Sequence, residues 1–315
     1  MAKGRPATRQ AATALASHAM FIRVTCSRRA AATALAAVLL AAVGCGAGSK
    51  LVLTEEAEAH RTSSDLRVQF TRAADASNRA VMADTDEASS AAAHEAVQAR
   101  QAVQRDIDAL YTILEDLGDR NEAAQLERFK ARFEEYQKLD DTILPLAVEN
   151  TNIKAQRLAF GPAQEAVSAF RQAVDAAART AAAKNDHTAA IVSQAIAGVL
   201  DVQVMQARHI AESDDSAMSR MEAAMTASLA TAHKGLETLR GLLPSAAGSP
   251  LAAAAAALDT FTAANAEIVA LSRRNSNVRS LALSLGKKRT VTAECSDLLQ
   301  ALEEALASHH YAATR

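Results

Sequence analysis

One twelve-residue segment occurs twice in the chain, 125 residues apart. The first copy, residues 150–161, reads NTNIKAQRLAFG, and the second, residues 275–286, reads NSNVRSLALSLG. Eight of the twelve positions are identical or close substitutes. The match extends upstream at the same offset into apolar residues, where Leu126, Ile143 and Leu146 correspond to Leu251, Ile268 and Leu271. The body of the chain is therefore expected to be a tandem repeat of one structural unit.

Each copy of the unit is predicted to be helical. Apolar residues recur every three or four positions, as at Val103, Ile107, Leu110, Leu114 and Leu117. This spacing is typical of the buried seam of a helix bundle. Alanine, which has the highest helix propensity, makes up 78 of the 315 residues, whereas aromatic residues, which favour strands, make up only 3%. The composition thus predicts an all-α protein.

The breaks in periodicity divide the body into eight segments. Helices are predicted near residues 54–83, 85–117, 120–150, 162–184, 187–211, 214–243, 250–274 and 287–309. We expect two tandem antiparallel four-helix bundles, 54–184 and 185–310. Because Asn185-Asp186-His187 is a weak interruption, the fourth helix of the first bundle is expected to continue into the second bundle as a shared long helix. The predicted core residues are Phe129, Phe133, Tyr136, Phe160 and Phe170 in the first bundle and Phe261 in the second.

Residues 1–48 are predicted to be a signal peptide or membrane anchor. The first 50 residues carry seven basic side chains and no acidic one, and residues 30–48 are uncharged. Ala42-Val43-Gly44-Cys45 is similar to a bacterial lipobox, with Ala42 where leucine is usual, so Cys45 is the predicted lipid-attachment residue. An uncleaved transmembrane helix and a cleaved, unlipidated chain remain alternatives, as do start codons at Met1 and Met20. All of them predict a body on the extracytoplasmic face of a bacterial cell envelope.

The sequence contains no recognised catalytic motif, and we expect neither an enzyme nor a cofactor. Outside the first 50 residues the formal net charge is −9, which argues against a nucleic-acid partner. Cys295 lies among apolar positions and is interpreted as a packed thiol. His209 and Glu212 are one turn apart, so they could bind a metal, but a surface pair at a helix end is favoured, and no metal site is predicted.

The asparagines of the repeat are its most regular polar feature. They could form a ligand or partner contact at the end of a bundle, or they could terminate helices, which is the interpretation we favour. The residues concerned are Asn150, Asn152, Asn275 and Asn277. Two acidic clusters are predicted at the turns between first and second helices, where acids stabilise a helix start. They are Asp84, Asp86 and Glu87 in the first copy and Glu212, Asp214 and Asp215 in the second.

Two stretches resemble the four-helix-bundle sensor domain of methyl-accepting chemotaxis receptors. The first is residues 133–155 with 158–161, and the second is residues 209–215 followed by Met218, Met221 and Glu222. The resemblance covers about residues 55–310 as two copies. It implies an extracytoplasmic bundle, usually dimeric, that senses small molecules or a periplasmic binding protein. The chain departs from the family in having no second membrane helix and no cytoplasmic signalling module, and none of the family's ligand-contacting residues can be transferred to it.

The resulting functional expectation is a membrane-anchored, sensor-like binding protein without a cytoplasmic signalling module. Its partners would be the membrane, a small-molecule ligand or an envelope protein, and a second copy of the chain, while the ligand and its contact residues stay unknown. The alternative is a structural envelope lipoprotein that acts as a scaffold. Inward-facing polar residues at matched positions of the bundles would favour sensing, because a ligand pocket needs convergent polar groups. Uniformly apolar seams would favour a scaffold.

Overall fold

The computed structural model describes the backbone of residues 31–180 and 186–313 and the side chains of residues 52–180 and 186–308. Nearly all of the described residues are helical, and none of them lies in a strand. The all-α prediction is therefore confirmed. The described residues from Thr54 onward form one compact unit, and those before Thr54 belong to a second unit.

Except that α1 begins at Ala31 rather than near residue 54, the long helices lie close to the predicted segments, and two short helices are added at the repeated motif. The first copy contains α1 to α5, which are Ala31–Met82, Asp86–Leu117, Arg120–Glu149, Thr151–Leu158 and Gln164–Arg179. The second contains α6 to α10, which are Asp186–Ala211, Asp215–Leu242, Gly248–Arg274, Ser276–Leu283 and Arg289–Ala313. A π-helical turn precedes α5 at Ala159–Ala163, and another precedes α10 at Ser284–Lys288.

The helix ends follow from local side-chain chemistry. Gly118 ends α2 in a left-handed conformation with φ of 76°, which glycine adopts without steric cost. The Thr85 hydroxyl accepts a hydrogen bond from the backbone N–H of Ala88 at 3.1 Å and thereby caps α2. The Asp214 carboxylate caps α7 in the same way through the N–H of Ala217 at 2.6 Å. The two acidic clusters therefore lie at helix starts, as predicted.

Helices α1, α2, α3 and α10 share one buried core, and we call them the first bundle. Part of this core is aromatic: Phe70 contacts Phe129, Phe133 and Tyr136 edge to face, with ring centroids 5.4 to 6.2 Å apart. Helices α5, α6, α7 and α8 share a second core around Phe170 and Phe261 and form the second bundle. Each bundle thus has four long helices, and the chain crosses between the bundles twice.

This arrangement differs from the predicted one, because the fourth helix of each repeat packs in the other bundle. Helix α5 contacts α8, and α10 contacts α3. The reason lies at Asn150 and Asn275, which interrupt the helices by a single residue. Connections that reverse the chain between neighbouring helices usually need two to eight residues. The chain instead continues through α4, which packs on α8, and through α9, which packs on α3. Bundle boundaries at 54–184 and 185–310 therefore do not separate the two cores.

Three further predictions are wrong, the first two because of this exchange of helices. Helices α5 and α6 pack side by side, so they do not continue as one shared long helix; residues 181–185 between them lie outside the described residues. Phe170 packs in the second core rather than the first. Phe160 belongs to neither core, because it lies in the first π-helical turn with 67% of its surface exposed. Phe129, Phe133 and Tyr136 do lie in the first core, as predicted.

Small residues bring α6 and α7 into close contact. A Cβ atom at Gly198 would lie 2.6 Å from the backbone oxygen of Ser228, and one at Gly235 would lie 2.8 Å from the Cβ of Ala195. Both distances are shorter than van der Waals contact. The scarcity of large side chains thus permits close backbone approach in the second bundle.

Two stretches of the described chain are long and apolar enough to cross a membrane. They are α6, with 26 residues, and Ser245–Ser308, with 64 residues. Both also contribute side chains to the bundle cores, including Val199 from α6 and Phe261 from α8. Apolar length and composition are shared by core helices of bundles and by membrane spans.

Candidate ligand-binding site

The repeated asparagine motif forms a reciprocal contact between the two copies. Asn150 and Asn275 end α3 and α8 in left-handed conformations, with φ of 51° and 52°. The backbone N–H of Asn152 donates to Oδ1 of Asn277 at 3.1 Å, and the N–H of Asn277 donates to Oδ1 of Asn152 at 3.1 Å. The predicted helix-terminating role is confirmed, and each asparagine motif has the other repeat as its partner.

The hydroxyls between these asparagines extend the same symmetry. The N–H of Thr151 donates to Oγ of Ser276 at 3.0 Å, and the N–H of Ser276 donates to Oγ1 of Thr151 at 3.0 Å. Both residues are buried. Their hydrogen bonds satisfy backbone groups at the starts of α4 and α9, which would otherwise be costly to bury. We therefore assign this junction a structural role in joining the bundles.

A buried ionic cluster crosses the core of the first bundle. Asp140 of α3 is fully buried, and Lys288, which ends the second π-helical turn, is 2% exposed. The Lys288 ammonium lies 2.7 Å from Oδ1 of Asp140 and also donates to the hydroxyl of Ser77. Ser77 donates to the same carboxylate oxygen at 2.6 Å. The ammonium lies 5.0 Å from the ring centroid of Tyr136, within the range of a cation–π contact.

Burial dominates the electrostatics of this cluster. Desolvation lowers the pKa of Lys288, although the attraction of Asp140 opposes that shift. Desolvation, with a further contribution from the Asp140 charge, raises the pKa of Tyr136 well above its usual value. Burial also raises the pKa of the Cys295 thiol to about 12. Cys295 is therefore a packed thiol and not an activated nucleophile, as predicted.

A cavity of about 480 Å³ lies beside this cluster, between α2 and α3. It is open to solvent, and its lining residues Ser90, His94, Asp141 and Pro145 are exposed. One wall is apolar, and its residues are Ala93, Val97, Leu144, Pro145 and Val148. The polar lining comes from Ser90, His94, Arg100, Asp140 and Asp141. This combination of an apolar wall with a few convergent polar groups is typical of a small-molecule site, and so is the volume.

Three buried polar atoms around Asp140 are closed to solvent and lack a hydrogen bond of ordinary geometry within the described part of the chain, although the Tyr136 hydroxyl still interacts with the Asp140 carboxylate. They are Oδ2 of Asp140, Nε of Arg100 and the hydroxyl oxygen of Tyr136. Nε of Arg100 lies 3.9 Å from Oδ2 of Asp140, too far for a direct hydrogen bond. The other side of the guanidinium is held by Oδ1 of Asp141 at 2.8 Å and by the carbonyl of Gln137 at 3.1 Å. Arg100 is thus fixed in place as the ion-pair partner of both Asp140 and Asp141.

The second bundle has a polar pair at the corresponding level. Asn265 lies 125 residues after Asp140, and its Oδ1 accepts a hydrogen bond from Nε2 of Gln206 at 2.9 Å. Gln206 is fully buried, and its Oε1 has no partner among the described residues. Both bundles therefore have inward-facing polar residues at matched positions, and their seams are not uniformly apolar.

His209 belongs to a different network and does not pair with Glu212. Its Nδ1 lies 2.7 Å from Oγ of Ser272, and its Nε2 lies 2.8 Å from Oε1 of Glu222. A hydrogen bond from Arg273, more than the one from His209, lowers the pKa of Glu222. His209 and Ser272 are fully buried, so the interpretation of His209 as a surface residue is wrong. The network joins α6, α7 and α8 through buried side chains.

The remaining predictions about sites concern a metal and the lipid-attachment residue. Within the described part of the chain, no group of three or more histidine, cysteine, aspartate or glutamate side chains is arranged to hold a metal. The side chain of Cys45 lies outside those that the structure describes. Sequence reasoning missed Ser77, Arg100, Asp140 and Lys288, because each looks like an ordinary polar surface position until the helices are assembled. The one available signal was that Asp140 and Asn265, two polar residues 125 positions apart, occupy equivalent positions of the two repeats.

Comparison with models of known protein families gives no match for this chain. Comparison with curated protein sequences gives no significant match either.

Proposed function

We propose that this chain is a membrane-anchored, extracytoplasmic binding protein whose first bundle takes up a small ligand between α2 and α3. The observation that carries the proposal is the apolar-walled cavity of about 480 Å³, whose lining also holds the ion-paired side chains of Asp140 and Arg100. An apolar wall with a few convergent polar groups is the usual composition of a small-molecule site. The bundle resembles chemoreceptor sensor domains, and in this proposal it acts by binding and has no catalytic role.

The proposed anchor is the N-terminal segment, with Cys45 as its lipid-attachment residue. Basic residues followed by an uncharged stretch and a small-residue exit support export of the body. Mass spectrometry of the mature N-terminus tests this part of the proposal. A diacylated or triacylated Cys45 is expected, and an unmodified mature N-terminus that precedes Cys45 would exclude lipidation.

The binding function is tested by a thermal-shift screen of the full-length chain in detergent against amino acids, organic acids and small aromatic compounds. At least one compound is expected to raise the melting temperature in the wild type but not in Val97→Phe, which fills the cavity wall without changing any polar atom. Val204→Phe is the matched control, because Val204 is 66% exposed on α6, away from the cavity. If no compound raises the melting temperature and pull-downs recover an envelope protein, the scaffold alternative replaces this proposal.

A further inference from the structure

The hydrogen bonds around the buried His209 determine which of its ring atoms carry protons. Nε2 of the ring lies 2.8 Å from Oε1 of Glu222, and Nδ1 lies 2.7 Å from Oγ of Ser272. The same Oγ lies 2.8 Å from the backbone carbonyl oxygen of His209. A neutral imidazole has one donor nitrogen and one acceptor nitrogen, whereas an imidazolium has two donors. The three contacts therefore depend on the protonation state of the ring.

The Glu222 contact requires a proton on Nε2. Nε of Arg273 donates to the same carboxylate oxygen at 2.6 Å, and this hydrogen bond lowers the pKa of Glu222. The carboxyl group is therefore ionised at neutral pH, and an ionised carboxylate only accepts hydrogen bonds. The proton between the two side chains belongs to His209.

The Ser272 contact requires a proton on Nδ1 as well. A serine hydroxyl has one proton, and the carbonyl oxygen 2.8 Å away has none to give, so the hydroxyl donates to the carbonyl and accepts from Nδ1. The opposite arrangement would leave two oxygen atoms 2.8 Å apart with no proton between them. The carbonyl would then keep only the backbone N–H of Glu212 at 3.3 Å, which is longer than an ordinary N–H···O hydrogen bond.

The charges around the ring balance when His209 is cationic. Helix α7 contributes the carboxylates of Glu222 and Asp215, and α8 contributes Arg273, which pairs with both of them. A cationic ring brings this group to two positive and two negative charges. The ring also lies in the last turn of α6, where the helix dipole favours a cation.

The other charged side chains at this end of the helices packed on α6 are exposed or bound elsewhere. They are Arg208 and Glu212 on α6 itself, Asp214 and Arg220 at the start of α7, Lys154 and Arg157 on α4, Glu165 on α5 and Arg274 on α8. The charge of the ring is therefore matched chiefly by Glu222.

The first repeat shows that the fold does not need a charge at this place. Ala80 lies two residues before the end of α1, as His209 does before the end of α6, and Ala147 corresponds to Ser272 at the 125-residue offset. The two alanines meet as His209 and Ser272 do, because the hydroxyl of Ser89 donates to both of their carbonyls at 3.0 Å. Both alanines are fully buried. The ionisable ring is thus specific to the second copy.

The ring lies beside the contact between the two repeats. The carbonyl of Ile210, the next residue, accepts a hydrogen bond from Nδ2 of Asn152 at 2.7 Å. The carbonyl of Glu212 accepts one from Nδ2 of Asn275 at 2.7 Å. A change in the position of His209 is therefore transmitted directly to the asparagines of the junction.

Loss of one ring proton changes the contact with α8. With Nδ1 deprotonated, the ring nitrogen and Oγ of Ser272 become two acceptors 2.7 Å apart, so the hydroxyl has to turn away from the carbonyl or the helices have to separate. Histidine is the side chain whose charge ordinarily changes between about pH 5 and 8. We infer that His209 is a pH-dependent switch: the doubly protonated ring holds the end of α6 against α7 and α8, and its deprotonation weakens that contact beside the junction.

Nitrogen-15 NMR of the histidine rings in the full-length chain in detergent measures the protonation state directly. At about pH 6, His209 is expected to show a proton bound to Nδ1 and another bound to Nε2, and the Nδ1 proton should disappear as the pH is raised. A ring that carries a proton on Nε2 alone at that pH would overturn the inference.

Ser272→Ala separates the two possible proton arrangements. Because the variant removes the acceptor of the Nδ1 proton, His209 should lose that proton at a pH lower by about one unit, as expected for one lost hydrogen bond to a charged group. A shift to higher pH would show that the serine donates to Nδ1 and would refute the inference. Ser168→Ala is the matched control, since the exposed Ser168 hydroxyl donates to the carbonyl of Gln164 in its own helix, and it should cause no shift.

Unfolding in urea at several pH values tests the effect on the fold. The contribution of a protonated ring is present at low pH and is lost as the pH rises. The difference in unfolding midpoint between wild type and His209→Gln should therefore narrow between about pH 5 and 8, while the exposed His94→Gln should show no such change. A difference that stays constant or widens would refute the switch. If His209→Gln does not fold, the NMR measurements on wild type and Ser272→Ala still decide the protonation state, and none of these outcomes depends on ligand binding in the α2–α3 cavity.

Discussion

Replacing Asp140 with asparagine should destabilise the first bundle by about 3–5 kcal/mol, because it leaves the Lys288 ammonium buried without its counter-ion. Lys288 is 2% exposed, and the carboxylate oxygen lies 2.7 Å from its nitrogen. The loss has a ceiling, since the lysine can give up its proton. Deprotonating a lysine of ordinary pKa at pH 7 costs about 5 kcal/mol. For a protein of this size the loss corresponds to a fall of roughly 6–20 °C in melting temperature.

Urea and thermal unfolding followed by circular dichroism measure this difference. Asp141→Asn is the matched control, because that neighbouring carboxylate is 66% exposed. Burial lowers the pKa of Lys288, so the cost of its charge is fully present below the folded pKa and disappears as the pH rises toward the ordinary value of 10.5. The gap between wild type and Asp140→Asn should therefore narrow near pH 10. If Asp140→Asn loses no more stability than Asp141→Asn, the buried ion pair described above does not exist in solution.

Four further predictions concern the helix arrangement and the buried polar groups. Phe170→Ala should cost about 3–5 kcal/mol of unfolding free energy, while Phe160→Ala should stay within about 0.5 kcal/mol; equal losses in urea unfolding would contradict their opposite burial. Gly198→Val should cost about 1–3 kcal/mol by forcing α6 away from α7, and a neutral effect on melting temperature would be inconsistent with the 2.6 Å approach. Asn152→Ala should cost about 1–3 kcal/mol by leaving buried backbone groups unpaired, measurable as faster hydrogen exchange at the junction. Because its arginine hydrogen bond lowers the pKa of Glu222, Glu222→Gln should lose stability relative to wild type above about pH 4.5, and that difference should shrink as the pH falls below this value.

Helix positions could be predicted from the sequence because they depend on local chemistry. The three- and four-residue spacing, Gly118 and the acidic helix starts all act within one or two turns of the chain. The pairing of helices depends on contacts between distant segments. The apolar spacing of α10 does not indicate that this helix packs on α3. The same limit applies to the site, since Asp140 and Lys288 are 148 positions apart in the sequence and meet only after α10 has packed.

Because each repeat contributes its fourth helix to the other bundle, the helices of the second bundle lie between those of the first along the chain. The second bundle is built from a continuous stretch, residues 164–274, whereas the first bundle needs α1 near the beginning of the chain and α10 at its end. A polypeptide synthesised from its N-terminus can therefore complete the second bundle while α1, α2 and α3 still lack their fourth helix. The first bundle, with its ionic cluster and cavity, closes only when the last 25 residues of helix, Arg289–Ala313, have emerged. A truncation that removes α10 would accordingly leave the second bundle with all four of its helices. The first bundle would then lack one helix, and its aromatic core would be exposed to proteases.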